Sequence, residues 1–309
     1  MQVTRLAPSP TGALHLGNAR TFLVNWALAR RSGWKIILRI EDLDGPRVKP
    51  GAIEGTIEIL RWLGMDWDEG PIVQSHDLEP YRAAMRTLAG VGLAYPCELT
   101  RAQIEAAASA PQEGTGESVF PASLRPEIRC RAFDDEMTNW RLVVPDEAVR
   151  FDDEFAGAQA RNPATSVGDF VVWTKRGQPS YQLAVVVDDA RQGVTRVVRG
   201  DDLIDSAARQ ILLYRALRLA KSIPSYTHLP LVVGADGKRL AKRHGDTRLD
   251  SYRAAGVSAE RVIALVARWC GMQVREGMSS EEFREALDLR RIPSRPAVFG
   301  EEDDRWLRV

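Results

Sequence analysis

Near the start of the chain the apolar positions alternate between two spacings. The run "VTRLA" (3–7) is short and continuous, as in a buried strand. From Leu16 apolar side chains recur at Ala19, Phe22, Leu23, Trp26 and Ala27, a helical period that runs out before Gly33, a helix stop. "KIILRI" (35–40) then reads as a second strand. The helix between is long enough for a right-handed parallel crossover, so the three segments form a βαβ unit. A second amphipathic helix follows at "AIEGTIEILRWLG" (52–64), with Ile53, Ile57, Leu60 and Leu63 along one side. The segment "TRAQIEAAASAPQEGTGESVFPAS" (100–123) breaks the pattern and reads as a loosely packed insertion. Apolar strands are expected again at "QLAVVVDD" (182–189), "VTRVVRG" (194–200) and "THLPLVVG" (227–234), with a helix at "LIDSAARQILLYRALRLA" (203–220) between the last two. From about residue 246 the chain reads as helical and charged. The whole predicts an α/β fold built on a parallel sheet.

Composition narrows this picture a little. At 309 residues the chain exceeds the roughly 100–200 residues of one domain, so two or three domain-sized pieces are expected. With 44% hydrophobic and 27% charged residues it is an ordinary globular sequence. No stretch approaches the roughly 18 apolar residues of a membrane span, and the N-terminus lacks a signal-peptide core; the expectation is a cytoplasmic protein. Cys97, Cys130 and Cys270 are odd in number and far apart, which argues against a disulfide framework. The 42 basic residues balance the 42 acidic ones, so net charge gives a nucleic-acid partner no support. Only six of the basic residues are lysines.

Two loops are candidates for chemistry. "PSPTGALHLGN" (8–18) joins the first strand to the first helix, at the sheet edge where ligands bind in βαβ folds. Pro8 and Pro10 stiffen it, Gly12 and Gly17 let backbone approach a ligand, and His15 and Asn18 sit at a helix start that favours phosphate. A tight turn whose histidine only caps the helix would give the same spacing. "GADGKRLAKRHGD" (234–246) leaves a later strand with Lys238, Arg239 and Lys242 close together. That suits a loop closing on a polyphosphate, where cations offset the charge of a departing pyrophosphate; a solvated surface turn is the alternative. Two of the six lysines fall here.

Together these stretches resemble the class I aminoacyl-tRNA synthetases. "PSPTGALHLGN" is similar to their HIGH signature, with His15 and Asn18 at the two histidine places, and "RLAKR" to their KMSKS signature. "RIEDLDGPRVKPGA" (39–52), "YQLAVVVDDARQGVTRVVRGDDL" (181–203) and "KRLAKRHGD" resemble the glutamyl branch in particular, over roughly residues 1–96 and 165–256. The resemblance implies a Rossmann-like catalytic domain from 1–96 and 165–245, an inserted subdomain at 97–164, and a helical stem-contact-like region at 246–309. It implies ATP, with Mg2+, and L-glutamate as reactants forming glutamyl adenylate, whose glutamyl group passes to an RNA hydroxyl. By analogy Arg5, Ala7, Ser9, Glu41, Tyr181 and Arg199 contact glutamate, while His15, Gly17, Asn18, Arg239 and Lys242 hold ATP. His15 and Lys242 would act on the phosphoryl transition state. The charges agree: two carboxylates want guanidinium partners, Arg5 and Arg199, and an ammonium wants an acid, Glu41.

Three departures from the family pattern matter. Arg239 and Ala241 stand where the signature has lysine and serine; Lys242 is unaffected, so activity is expected. Some relatives carry zinc in the insertion, but Cys97 and Cys130 have Leu99 and Pro126 at the two remaining ligand places, so no structural zinc is expected. Cys270, in "VARWCGM", reads as a core residue. Lastly, this chain ends at Val309, where full-length glutamyl enzymes continue into an anticodon-binding region, and none is expected here. The short form resembles the glutamyl-Q tRNA(Asp) synthetases, which implies transfer of glutamate to queuosine in the anticodon loop of tRNA(Asp). The alternatives are the catalytic half of a 3′-end glutamyl-tRNA synthetase working with a partner, a non-catalytic paralogue, and adenylation of a small molecule or carrier protein with no RNA, which the near-zero net charge permits.

Overall fold

The computed structural model describes residues 1–107, 119–240 and 245–309. In chain order, β1 (Val3–Leu6), α1 (Leu16–Ser32), β2 (Lys35–Ile40), α2 (Ala52–Trp62) and β3 (Glu69–Val73) open the fold. Next come α3 (Glu79–Gly90), β4 (Ala94–Cys97), α4 (Arg101–Ala107), β5 (Asn139–Leu142), β6 (Val149–Asp153), β7 (Gly157–Arg161), α5 (Pro163–Ser166), β8 (Val171–Thr174) and β9 (Gln178–Pro179). Then follow α6 (Tyr181–Arg191), β10 (Arg196–Gly200), α7 (Ile204–Ala216), β11 (Ser225–Leu229) and β12 (Val232–Gly234). The chain closes with α8 (Leu249–Ala254), α9 (Ala259–Trp269), α10 (Ser280–Ala286), β13 (Ala297–Phe299) and α11 (Glu301–Arg308).

β3, β2 and β1 are parallel, as the βαβ reading expects, with Arg5 opposite Ile37. On the other flank β10 and β11 are parallel and β6 joins β11 at Tyr226 and Asp153, with β7 antiparallel at the rim. The halves abut where the Thr195 N–H donates to Val3 O at 2.9 Å and the Val3 N–H to Thr195 Oγ1 at 2.9 Å. The chain therefore leaves β1 toward β2 on one side and later places β10 on the other. A crevice forms at such a reversal, outside the carboxyl ends of the strands. β4, β5, β8 and β9 make a separate antiparallel sheet beside it.

α1 is the hub of the core. Gly33 closes it with φ 67°, a left-handed conformation that glycine adopts without strain. Leu16, Leu23 and Ala27 are fully buried in one cluster with Val262, Val266 and Phe283 from α9 and α10. Cys270 is buried in the same cluster, as expected. The C-terminal region is thus packed onto the first helix of the fold. It is mostly helical, and β13 adds a short strand parallel to β12.

One expected strand is a helix. "QLAVVVDD" lies within α6, whose N-terminus is capped by Ser180 Oγ accepting the Leu183 N–H at 3.5 Å. Three adjacent valines favour a strand, but every residue from Gln182 to Asp189 is buried, and a run apolar on all sides has no period to distinguish the two. Among the described residues no helix is long and apolar enough to cross a membrane.

Candidate active site

The loop from β1 to α1 is pinned at both ends. The Glu41 N–H donates to Pro8 O at 3.0 Å, carrying the β1–β2 pairing past both strands and setting Glu41 beside the loop. At the far end His15 caps α1. Its Nδ1 accepts the Gly17 N–H at 3.1 Å, and Asn18 Oδ1 accepts the His15 N–H at 3.0 Å, a reciprocal capping box. Because Nδ1 accepts, the neutral ring carries its proton on Nε2. Burial, reinforced by the Arg239 charge and opposed by Asp202, pushes the His15 pKa down to about 4, so the ring is neutral at pH 7.

A cavity of about 500 Å³ lies in the crevice. Around it stand Arg5 on β1, Ala7 and Ser9 after it, His15, Gly17 and Asn18 at the start of α1, and Glu41 after β2. Tyr181 at the first turn of α6, Arg199 on β10 and Arg239 beyond β12 complete the set. Of the expected site residues only Lys242 is missing from this wall, and it lies outside the described residues. Capping and facing the cavity are therefore not exclusive for His15: one imidazole does both.

The described parts of the second loop sit against the first. Beyond β12 the chain turns through Gly237 at φ 71°, and the Gly234 N–H donates to Lys238 O at 2.9 Å. Arg239 Nη1 donates to Asp202 Oδ2 at 2.8 Å. After the loop, the Leu16 N–H donates to Thr247 O at 3.1 Å and the Leu249 N–H to Leu14 O at 2.8 Å. The downstream flank of the basic loop is thereby held beside the helix start that carries His15, and the upstream flank is held to Asp202.

On the β1–β2 side of the cavity the arginines are neutralised by acids. Arg39 on β2 is fully buried; its Nη1 donates to Asp189 Oδ1 at 2.7 Å and its Nη2 to Glu41 Oε1 at 3.1 Å, while Asp188 lies 3.9 Å from its Nε. Arg5 shares the same oxygen of Asp189, at 3.3 Å. Burial is the largest influence on Asp189 and would raise its pKa, but the guanidinium groups of Arg39 and Arg5 prevail and hold it below the usual carboxylate range. For Glu41 burial prevails over Arg39 and Arg5 and raises the pKa. Glu41 Oε2 carries no hydrogen bond among the described residues.

On the β10 side the partners are neutral. Arg199 is 5% exposed; its Nε donates to His228 Nε2 at 3.0 Å, its Nη1 to Gln210 Oε1 at 2.9 Å and its Nη2 to Leu203 O at 3.3 Å. Its Cζ lies 5.3 Å from the ring centre of Tyr226. No carboxylate pairs with Arg199 among the described residues. A buried cation held only by neutral groups is costly unless a ligand brings the counter-charge. This side is shaped for an anion.

Sequence reasoning missed several supporting residues: Arg39, Asp188, Asp189, His228 and Asp153. The one local signal was the acidic pair interrupting the apolar run "QLAVVVDD", since acids in a buried segment need buried cations. Of the cysteines discussed for zinc, Cys97 is buried and Cys130 exposed; among the described residues no three His, Cys, Asp or Glu side chains form a metal-binding group.

Comparison with known proteins fits this geometry. Residues 2–306 match the family model of class I tRNA synthetases (E and Q), catalytic domain. A glutamyl-Q tRNA(Asp) synthetase of Symbiobacterium thermophilum is 49% identical over 306 residues, covering 94% of this chain and 94% of that protein. One from Rhodopirellula baltica is 47% identical over 282 residues, 87% of this chain and 85% of the relative. A glutamate–tRNA ligase of Parasynechococcus marenigrum is 40% identical over 306 residues, but only 62% of its length is covered. The crystal structure of a glutamate tRNA ligase from Elizabethkingia meningosepticum in complex with its amino acid superposes with a TM-score of 0.81 at 27% identity, over 99% of this chain and 68% of that one.

Proposed function

The chain belongs to the class I tRNA synthetases of the E and Q branch, and from that premise we propose that it activates L-glutamate with ATP and transfers the glutamyl group to the queuosine base in the anticodon loop of tRNA(Asp). The observation that carries the chemistry is Arg199, a buried guanidinium without an acid, facing the same cavity as Glu41 and the start of α1. Glutamate supplies the charge missing at Arg199: one carboxylate meets it, the other meets Arg5 beside Asp189, and the ammonium meets Glu41 Oε2. Ala7, Ser9 and Tyr181 complete the wall around it.

In the first step an α-carboxylate oxygen attacks the α-phosphorus of ATP and the bond to pyrophosphate breaks. His15 donates from Nε2 to a phosphate oxygen, the N-terminus of α1 adds the positive end of its dipole, and Arg239 and Lys242 meet the pyrophosphate. Nothing covalent is asked of the protein, only position and charge. Magnesium arriving with ATP would neutralise phosphate oxygens; the neutral imidazole of His15 and the positive end of the α1 dipole suit the anionic oxygens left exposed. In the second step an acceptor hydroxyl displaces AMP from the acyl carbon.

The acceptor has room to approach. A second cavity of about 730 Å³ shares Ser9, Thr11, Glu41 and Tyr181 with the first. It is bordered by Lys175 and by Arg47 and Arg176, which share Asp44 at 3.2 Å each, a net basic rim suited to RNA phosphates. Relatives of nearly equal length carry the glutamyl-Q name, which supports queuosine as the acceptor. The test is incorporation of labelled glutamate, with ATP, into two tRNA pools differing only in queuosine. Label confined to the queuosine pool is expected. Equal label in both would replace this acceptor with the tRNA 3′ end.

A further inference from the structure

The way Arg199 is held goes beyond the residues that touch substrate. Its Nε–H donates to His228 Nε2, so that nitrogen presents a lone pair and the ring's proton sits on Nδ1. Nδ1 in turn lies 2.6 Å from Asp153 Oδ2 and donates to it. Asp153 is itself fixed: Oδ1 accepts the Phe155 N–H at 3.0 Å and the Ala156 N–H at 2.7 Å, and the carboxylate accepts the His228 N–H at 3.1 Å. The His228 and Asp153 side chains are fully buried. The chain Asp153, His228, Arg199 therefore runs from an anchored anion through a neutral ring to a buried cation.

We propose that His228 and Asp153 are positioning residues for glutamate recognition, fixing the Arg199 guanidinium in place while keeping the Asp153 carboxylate one imidazole away from it. The inference rests on the assignment of Arg199 to a glutamate carboxylate. A carboxylate paired directly with Arg199 would orient it equally well but cancel the charge that attracts substrate. The imidazole supplies orientation without cancellation. Arg39 across the cavity shows the opposite case, in which acids contact the guanidinium directly. Asp153 reaches this place because β6 pairs with β11, so the stretch between β5 and β8 contributes to the site without touching substrate.

Asp153→Asn tests the relay. One carboxylate oxygen becomes an NH2 donor, which must face either the Phe155 and Ala156 N–H groups or His228 Nδ1. In the second arrangement the ring changes tautomer and turns an N–H toward the Arg199 Nε–H, so the bond is lost. His228→Leu removes the relay at similar volume, and His228→Gln offers an oxygen to Arg199 and an NH2 to Asp153. Glutamate binding is measured by calorimetry, and KM for glutamate and for ATP by glutamate-dependent pyrophosphate exchange, with melting temperature alongside. The expected result is a rise of about tenfold or more in glutamate Kd and KM for Asp153→Asn and His228→Leu, from leaving a buried donor unpaired. ATP KM and kcat change less, and His228→Gln recovers most of the glutamate affinity. Unchanged glutamate KM in Asp153→Asn and His228→Leu overturns the relay, as does a parallel loss of glutamate and ATP affinity that follows melting temperature. Failure of the wild-type protein to bind glutamate overturns the site assignment, and the relay with it.

Discussion

Two buried arginines on opposite sides of one crevice are held in opposite ways. Arg39 contacts Asp189 and Glu41 directly, with Asp188 close by, and those acids hold its pKa above the ordinary arginine value despite burial. Arg199 is nearly as buried, yet is held by an imidazole, an amide, a carbonyl and an aromatic face. Both arrangements satisfy donors, and only the first sets acids in contact with the guanidinium, Asp189 reaching Arg199 through its field alone. A buried cation matched by protein acids serves the fold, and one matched by neutral groups awaits an anion from outside. Arg5 stands between them, sharing Asp189 with Arg39 while facing the cavity.

The sharpest way to break this contrast is to remove each guanidinium in turn. Arg39→Leu leaves Glu41 without its ion-pair partner and Asp189 with Arg5 alone, and breaking a buried pair from one side costs about 3–5 kcal/mol. Urea unfolding should show that loss, with a matching fall in midpoint. Arg199→Gln strands no acid and leaves only neutral acceptors short of a donor, so its unfolding free energy should fall by about 1–3 kcal/mol, less than for Arg39→Leu. Its distinguishing effect should appear in glutamate KM, raised about 100-fold by loss of a charge-assisted contact. An Arg199 variant that unfolds as readily as the Arg39 variant, with glutamate KM unchanged, would erase the distinction.

The same contrast explains what the sequence could disclose. The site's N-terminal half is local: prolines, glycines, His15 and Asn18 fall within one strand-to-helix loop, and a helical period with Gly33 at its end defines α1. Short-range spacing carries that information. Glu41, Tyr181 and Arg199 were reached by resemblance, because nothing in their neighbours' spacing marks them as binding groups. His228 and Asp153 were not reached at all. They are 75 residues apart and meet only because β6 pairs with β11, a long-range choice that no local pattern encodes. α6 was misread for a related reason: its burial on every side comes from tertiary packing, which removes the polar face that would have revealed a helix.

A smaller effect separates His15 from the acids by pH. Burial depresses the His15 pKa to about 4, so the folded state favours the neutral ring. Between about pH 6.5 and 4 the unfolded chain binds the extra proton, and stability contributed above that window is lost as pH falls through it. The loss is on the order of 2–3 kcal/mol. Asp189 and Asp153, with lowered pKa values, keep their contributions above the ordinary aspartate range and lose them only at lower pH. Glu41, with its raised pKa, adds an opposite slope common to both proteins in the comparison. Unfolding free energy measured from pH 7 to 4 should therefore fall less steeply in His15→Gln than in wild type. Equal slopes would mean that the imidazole is not held neutral by its surroundings.

Gly17→Ala probes the same ring with the smallest change of all. At the second position of α1 an alanine is better than glycine for helix stability, by up to about 1 kcal/mol. Its Cβ, however, would lie 3.0 Å from His15 Cε1 and 3.1 Å from Nδ1, the atom that accepts the residue's own N–H. The ring must give way by a few tenths of an ångström, and the two effects nearly cancel in stability, within about 0.5 kcal/mol. They do not cancel in chemistry, because the displaced imidazole is the group assigned to the phosphate, where small misplacements are expensive. Glutamate-dependent pyrophosphate exchange should lose about tenfold in kcat, with glutamate KM unchanged, since the Arg199 side of the crevice is untouched. A rise in glutamate KM instead would mean that the two sides of the site are coupled, and that the division drawn between them is too clean.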